Sequence, residues 1–520
     1  MPINLKALIV VLVLASVAFK FAKSTALLFS SEQDFARRRN LWYLLTVAAF
    51  LTPSIWLYVL IVAPFLVVGG RKDSNPAALY LFLLHAVPPV ATPIPLPGGA
   101  KLIDVSNQIL LSLCVIVPAI GRLRRSKNDR DIRRLQRIDW CLLAYGVLTA
   151  ILYIHLLAPD GTFYPSTYSD ALRRTLTFLI AVFAPYFLIS RTTRNRPLIL
   201  DSLAAFTLPC VVMAVIAVFE GVRGWLLYED IPQRWELAGT LTVYLLRGSS
   251  LRAMASTGHP LALGYELAIA FGLWLCLETY VKSRLIRWTV SATLVLGLLA
   301  AYSRGPWACA LAIYVIYVFL KPRAASGLFK SFLGSMLVLA VISLTSLGEK
   351  IAAVLPFLGG TIDSSNIDYR GRLWTRGWEI VRDNPLLGDQ YALAKMQDLR
   401  QGQGIVDFVN GYLAELLGTG FVGLALFFLV VLPALRKVLA VSRIIKLTDQ
   451  SFGMAGASLA SCLLGTLFLW ALGGPDPIVL WALVALAIAY SHVGTSNHQT
   501  VQRHAWPGAT EPIFLKNTGR

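Results

Sequence analysis

The feature that most constrains this chain is the recurrence, from one end to the other, of apolar runs of roughly 17–25 residues, the length a helix needs to cross a hydrocarbon core about 30 Å thick. They fall at 5–22, 41–69, 77–97, 103–121, 138–158, 171–190, 198–220, 259–280, 285–302, 305–321, 328–347, 411–435, 452–472 and 476–492. Pro88, Pro89, Pro93, Pro95 and Pro97 weaken the third as a helix, so about 12–14 spans are expected. Inside a bilayer every backbone polar group needs an internal partner, which leaves only helices or a closed barrel. The strand-type alternation of a barrel is absent. The expected fold is therefore an all-α polytopic membrane protein with one long extracytoplasmic loop carrying an amphipathic helix. Composition agrees: 56% of residues are apolar and 14% charged, where a soluble chain carries about a quarter charged.

Charge then sets orientation. The 47 Lys and Arg against 28 Asp and Glu give a net +19, which in a soluble protein would suggest nucleic acid. Here the basic residues sit in short loops between apolar runs and read as the positive-inside bias, with no nucleic-acid partner implied. RLRRSKNDRDIRRLQR at 122–137 is the strongest cytoplasmic marker, supported by 191–196, 282–287, 321–323 and 436–446. Alternation from these anchors puts both termini inside and 348–410 outside. The expected organisation is N-terminal helices over 1–158, central helices over 159–347 with an extracytoplasmic loop at 221–258, the loop 348–410, C-terminal helices over 411–492, and a cytoplasmic tail over 493–520. One loop conflicts: Arg37, Arg38 and Arg39 fall outside in this count, so either the 41–69 run is a broken hairpin around Thr52-Pro53 or an early span is re-entrant.

Cys114, Cys141, Cys210, Cys276, Cys309 and Cys462 all lie in apolar runs without CxxC spacing, so they read as small core residues, not ligands or disulfides. No zinc, calcium, P-loop or GxSxG pattern occurs, so neither metal nor cofactor is expected. The first run lacks a small-x-small cleavage site and reads as a retained helix.

The long polar interruption is 361–423, which holds most of the chemistry. Over 370–383, a helical period puts Leu373, Trp374, Trp378, Ile380 and Val381 on one side and Arg372, Arg376, Glu379 and Asp383 on the other, until Asn384-Pro385 ends it. Such a helix suits the headgroup plane, either as a plain interfacial anchor or holding a lipid-linked phosphate with Arg370, Arg372 and Arg376. Asp407, Asn410, Tyr412 and Glu415 then cluster where the chain re-enters an apolar run, as a cap or as a site. Arg304, in the tight corner AYSRGPWACALA, stands against the positive-inside bias and needs an anionic partner, a carboxylate or a phosphate. Arg173, Arg174, Arg247 and Arg252 pose the same question. His259 precedes a helix-opening Pro260 and reads as a cap or a base. Asp201, Glu220, Glu266 and Glu278 are bases, partners for the outer arginines, or solvated ends.

The order LRAMASTGHPLALGY (251–265), YSRGPWACA (302–310), YRGRLWTRGWEIVRDNPLLG (369–388) and VDFVNGYLAELLGTGFVGLALF (406–427) resembles the O-antigen ligase and Wzy-type polysaccharide polymerase superfamily. The resemblance covers roughly 245–430. It implies a bacterial inner-membrane glycosyltransferase, active on the extracytoplasmic face, that uses a polyprenyl-diphosphate-linked oligosaccharide as donor and meets membrane lipid, with a chain-length regulator or export machinery as possible partners. It implies that Arg252, Arg304, Arg370, Arg372 and Arg376 bind the diphosphate, that Asn410 and Tyr412 position the acceptor, and that a base deprotonates the acceptor hydroxyl. Ligases of this superfamily carry a His before the Asn where this chain reads Val409-Asn410. The resemblance is therefore nearer to the exopolysaccharide and O-antigen polymerases than to the ligases, with Asp407, Glu415 and His259 as replacement bases. The reading from another class, a transporter or exporter, would call for charges at mid-membrane and paired interrupted helices, and the spans are poor in both.

Overall fold

The computed structural model describes residues 2–95, 101–125, 135–154, 168–237, 246–247, 250–321, 364–400, 406, 408–474 and 477–505. In chain order its helices are α1 (Ile3–Ala26), α2 (Glu32–Leu51), α3 (Ile55–Lys72) and α4 (Pro76–Leu83). After them α5 begins at Asn107–Leu111, passes a π turn at Ser112–Ile116 and continues as Val117–Arg125. Then come α6 (Arg137–Ile151), α7 (Tyr168–Thr192), α8 (Arg196–Arg223), α9 (Asp230–Arg234) and α10 (Pro260–Leu277). The rest are α11 (Arg284–Ala300), α12 (Arg304–Phe319), α13 (Ser364–Asp383), α14 (Gly411–Thr448), α15 (Gln450–Trp470) and α16 (Pro477–Ala505). Among the described residues eight helices, α1, α3, α7, α8, α10, α14, α15 and α16, are long and apolar enough to cross a membrane; α5 and α12 are shorter apolar helices. The run expected at 328–347 lies outside the described residues, and α16 continues past 492, where the last span was expected to end.

The proline-rich run at 77–97 is not a span. After α4 the chain forms β1 (Ala91–Pro95), paired antiparallel with β2 (Lys101–Ser106). Proline lacks the N–H that a helix interior needs but fits the edge of a two-stranded ribbon. The 41–69 run is likewise two helices, broken at Thr52-Pro53-Ser54, with Ser54 capping α3 through Leu57 N.

That break removes the conflict over Arg37–Arg39. Arg38 is buried and bidentate to Asp73 at 2.8 and 3.0 Å and to Asp201 at 2.7 and 3.0 Å, while Asn75 Nδ2 donates to Asp201 at 3.0 Å. The cluster ties the start of α2, the end of α3 and the start of α8 together at one end of the bundle. Arg191 with Asp139, and Arg196 with Asp449, bring α6, α7, α8 and α15 to the same end. The basic loops around 37–39, 71–72 and 191–196 thus share this basic end, as charge bias requires.

Buried α8, α10, α15 and α16 form the middle of the bundle. Small residues let these helices approach closely, since lipid offers no hydrophobic drive of its own. A Cβ on Gly297 of α11 would meet Ala214 Cα of α8 at 2.7 Å, and one on Gly272 of α10 would meet Cys462 Sγ and Ile313 Cγ2 at 2.6 Å. All six cysteines are free, and all but Cys141 are buried.

Candidate functional site

The opposite end is built around the corner after α15. Gly411, at the start of α14, lies so close to it that a Cβ would meet the carbonyl oxygens of Trp470 and Gly473 at 3.1 Å. A Cβ on Gly473 would meet Leu261, at the start of α10, at 3.5 Å, and one on Gly305, at the start of α12, would meet Leu469 at 3.1 Å. Three helix N-termini, those of α10, α12 and α14, therefore converge on residues 469–473. Helix N-termini carry the positive end of the backbone dipole, so their convergence favours an anion; α10 and α14 have part of their first-turn N–H groups capped by His259 and Asn410, whereas α12 has no side-chain cap.

Two arginines come from the neighbouring corners. Arg252 Nε donates to Ala301 O at 3.4 Å, and Ala253 N to Ala300 O at 3.0 Å, so the 252–259 loop rests on the end of α11, beside Arg304 in the first turn of α12. Ser303 caps α12 without a side-chain hydrogen bond. Among the described residues, the buried Arg304 Nε has no hydrogen-bond partner. An unmet donor on a buried cation costs free energy unless an acceptor arrives.

The loop is held by Glu220, at the end of α8. Its fully buried carboxylate accepts from Leu227 N at 2.9 Å on Oε1, and from Met254 N at 3.0 Å and Ala255 N at 2.8 Å on Oε2. Glu220 is thus neither a base nor a partner of an outer arginine but a strut. Ala255, which it holds, has φ +46°, and Tyr302 in the adjoining corner has φ +44°. Left-handed backbone at non-glycine residues is strained and persists where the surroundings enforce it. Ser256 Oγ donates to His85 O at 2.5 Å, and His85 Nε2 lies 3.0 Å from Glu266 Oε1 in the buried interior of α10. Among the intramembrane acids, Asp201 and Glu266 also have inner partners, Arg38 and His85.

His259 caps α10, its Nδ1 accepting from Leu261 N at 3.1 Å. Desolvation on the inner side of the ring, and then the Arg252 guanidinium, hold its imidazole below the ordinary value. Asn410 caps α14 through Tyr412 N at 3.0 Å and Leu413 N at 3.1 Å. The Tyr412 hydroxyl donates to Leu467 O at 2.7 Å, and its ring stacks on Phe428, so it fastens α14 to α15. Glu415 faces α6, accepting from Tyr145 at 3.1 Å and Thr419 at 2.7 Å. Asp407 and the Arg247 side chain lie outside the described residues. Arg173 pairs with Asp104 and Asp170, and Arg174 covers the Tyr153 ring at 3.3 Å.

The amphipathic helix α13 does not lie in the lipid plane by its apolar stripe. Tyr369, Leu373, Ile380 and Val381 pack on Leu413, Leu416 and Leu417 of α14 in a small separate core with Ala392, Met396 and Leu399. Leu373, Ile380 and Val381 of the stripe are therefore buried in protein, whereas Trp374 is exposed and Trp378 partly buried. Arg370, Arg372 and Arg376 are all exposed, but at about 100° per residue Arg372 and Arg376 share one flank while Arg370 lies on the other. Arg376 already holds Glu379 at 3.0 Å and Lys395 O at 3.4 Å. Arg252, His259 and Arg304 are thus brought together, whereas the three arginines of α13 do not form one clamp.

Sequence reading missed the feature that docks α13. Gly420, with φ +63° and ψ −164°, breaks α14, and the NPLLGD turn after α13 fills the break. Phe421 N donates to Pro385 O at 2.8 Å, Val422 N to Leu386 O at 3.1 Å, and Asp389 N to Leu417 O at 2.8 Å. Backbone groups orphaned by the break are satisfied by another segment. The paired signals were GTG inside an apolar run and Pro-x-x-Gly after a helix.

Residues 289–428 match the family model described as O-antigen ligase. This stretch of the chain is similar to the O-antigen ligase family. It runs from α11 into α14 and holds Arg304, Arg370, Arg372, Arg376, Asn410, Tyr412 and Glu415; Arg252 and His259 precede it. No curated protein matches the chain. Together with the eight helices long and apolar enough to cross a membrane among the described residues, this similarity fits a multi-pass membrane protein. Among the described residues no three His, Cys, Asp or Glu side chains come together as a metal site.

Proposed function

We propose that the protein is a glycosyltransferase of the bacterial inner membrane that polymerises polyprenyl-diphosphate-linked repeat units at the extracytoplasmic face. The observation that carries this reading is the meeting, at one corner, of three helix N-termini with Arg252 and the buried Arg304 Nε, which has no partner among the described residues. The acceptor hydroxyl attacks the anomeric carbon of the donor glycan, and the bond from that carbon to the diphosphate oxygen breaks. The electron pair leaves with the diphosphate, and the hydroxyl proton passes to a base. Charge develops on the leaving oxygen, where fixed donors and arginines in a water-poor site stabilise it most. His259, beside Arg252, is the candidate base at this corner, and it takes the proton on Nδ1 by releasing the cap on Leu261 N. The corner lies at the end opposite the basic loops, which under the positive-inside bias is the extracytoplasmic side.

The second reading, ligation of finished glycan to a lipid or protein acceptor, is favoured by the description of the matched family; Val409 before Asn410, where ligases carry His, favours polymerisation. The test is purified protein in nanodiscs given a polyprenyl-diphosphate repeat unit, scored for chain growth. Wild type is expected to lengthen the chain, and Arg304→Ala to slow it by roughly 10²–10³-fold, the usual loss for one fixed transition-state donor. Full-rate growth by a well-folded Arg304→Ala protein would refute the phosphate role. Cells lacking a polymerase accumulate single units on the carrier, whereas cells lacking a ligase accumulate long unattached chains.

A further inference from the structure

The outward flank of α13 carries an aromatic feature that phosphate binding leaves unused. Trp374 and Trp378, one turn apart, stack with ring planes 5° apart and centroids separated by 6.1 Å. Trp374 is 50% exposed, and Trp378 is anchored at the edge of the small core beneath α13. Gly371 lies one turn before Trp374, and a Cβ there would meet nothing within 4 Å among the described residues. The indole face therefore stands beside open space at Gly371. Arg370, Thr375 and Arg382 are exposed around it, so a flat apolar surface is rimmed by hydrogen-bond donors.

A lipid tail and a sugar ring are the two occupants such a surface invites, and the pattern of exposed side chains separates them. Bilayer contact calls for a contiguous apolar band. The chain has one at the α14 break, where Leu386, Leu387, Phe421 and Val422 are all exposed. On α13 the exposed positions from Asp368 to Asp383 are Asp, Arg, Gly, Thr and Glu, with Trp374 the one large apolar side chain among them. A pyranose is built the other way round, with C–H groups on its faces and hydroxyls on its rim. It matches a rigid indole face ringed by guanidinium and hydroxyl groups, and indoles lose little conformational freedom on binding.

We propose that Trp374 and Trp378 are a platform for a pyranose ring of the glycan, with Arg370, Thr375 and Arg382 meeting its hydroxyls. The proposal rests on the glycan-transfer reading and adds a subsite to it. α13 packs on the first turns of α14, whose N-terminus forms part of the candidate corner. A chain held on the platform stays near that corner between transfers, so product length depends on the two tryptophans.

The experiment uses the full chain in nanodiscs and, as probe, polysaccharide released from the host's own envelope by mild acid, with binding followed by saturation-transfer NMR. Trp374→Ala is expected to weaken binding about tenfold, as for loss of an aromatic anchor. Trp374→Phe keeps a flat face and retains most of the affinity. Gly371→Leu sets a bulky side chain beside the indole face and weakens binding with both tryptophans in place. In cells, Trp374→Ala shortens the product at equal protein level. Unchanged binding and unchanged length in both Trp374→Ala and Gly371→Leu would overturn the platform. So would quenching by brominated acyl chains of the emission that Trp374→Phe removes, which would make Trp374 a lipid anchor. The two readings fail separately: wild type that binds the polysaccharide through Trp374 but transfers nothing sinks the transfer reading alone, and normal transfer with all Trp374 effects absent sinks the platform alone.

Discussion

Glu220 provides the sharpest test of how the site is held. Its carboxylate, wholly buried, receives three backbone N–H groups at 2.8–3.0 Å from Leu227, Met254 and Ala255. A hydrogen bond to a charged acceptor contributes about 1.5–3 kcal/mol net, and a buried donor left without a partner costs about 1–3 kcal/mol. Desolvation of the carboxylate offsets part of this, so Glu220→Ala should lose about 3–5 kcal/mol, the range seen when one partner of a buried charged network is removed. Glu220→Gln keeps one carbonyl oxygen, which can serve Met254 and Ala255, but turns an NH2 toward Leu227 N; its loss should be smaller, about 1–3 kcal/mol. Thermal unfolding in detergent should rank wild type above Glu220→Gln above Glu220→Ala. Trypsin cleavage after Arg252 should speed up in the same order, because Met254 and Ala255 are what tether that loop. Equal unfolding temperatures and equal cleavage rates for wild type and Glu220→Ala would refute the strut.

Two other perturbations follow from the geometry. A Cβ on Gly420 would fall 2.3 Å from Leu386 O in a backbone region open essentially to glycine alone, so Gly420→Ala should destabilise by about 3 kcal/mol or more and undock α13, read as a lower unfolding temperature and new proteolysis within 384–400. At His259, Ala removes the cap, at about 1 kcal/mol, whereas Asn restores it; normal stability with lost transfer in His259→Asn marks a base, and normal transfer marks a cap only. The native imidazole is held below its ordinary value, so in the range below about 6.5 the unfolded chain binds the proton first and the native state loses stability as pH falls. His259→Asn should unfold with a weaker acid dependence over that range, and an unchanged dependence would exclude the shift.

Much of the architecture was legible because apolar length and loop charge are one-dimensional signals. The run around 198–220 became α8 and that around 452–472 became α15, since a helix satisfies its own backbone wherever the surroundings are apolar. The prolines of 88–97 marked the one run that could not be a helix. What the chain pairs across distance was not legible. Arg38 looked misplaced because its partners, Asp73 and Asp201, lie 35 and 163 residues away. Glu220 looked like any acid at a helix end, because its three partners are main-chain amides that every residue carries.

The sequence by itself determined a helical membrane bundle and carried the likeness to the O-antigen ligase family over 289–428. Helical periodicity, charge bias and motif order are properties of neighbouring residues and survive without coordinates. Tertiary structure decided which of those residues meet. The corner at 469–473 joins helix starts as far as 151 residues apart, at Pro260 and Gly411. The NPLLGD turn repairs the break at Gly420 and so turns Leu373, Ile380 and Val381 of α13 inward, away from lipid. Both outcomes depend on close backbone approach and on satisfying buried N–H and carbonyl groups, and those conditions exist only once the helices have packed.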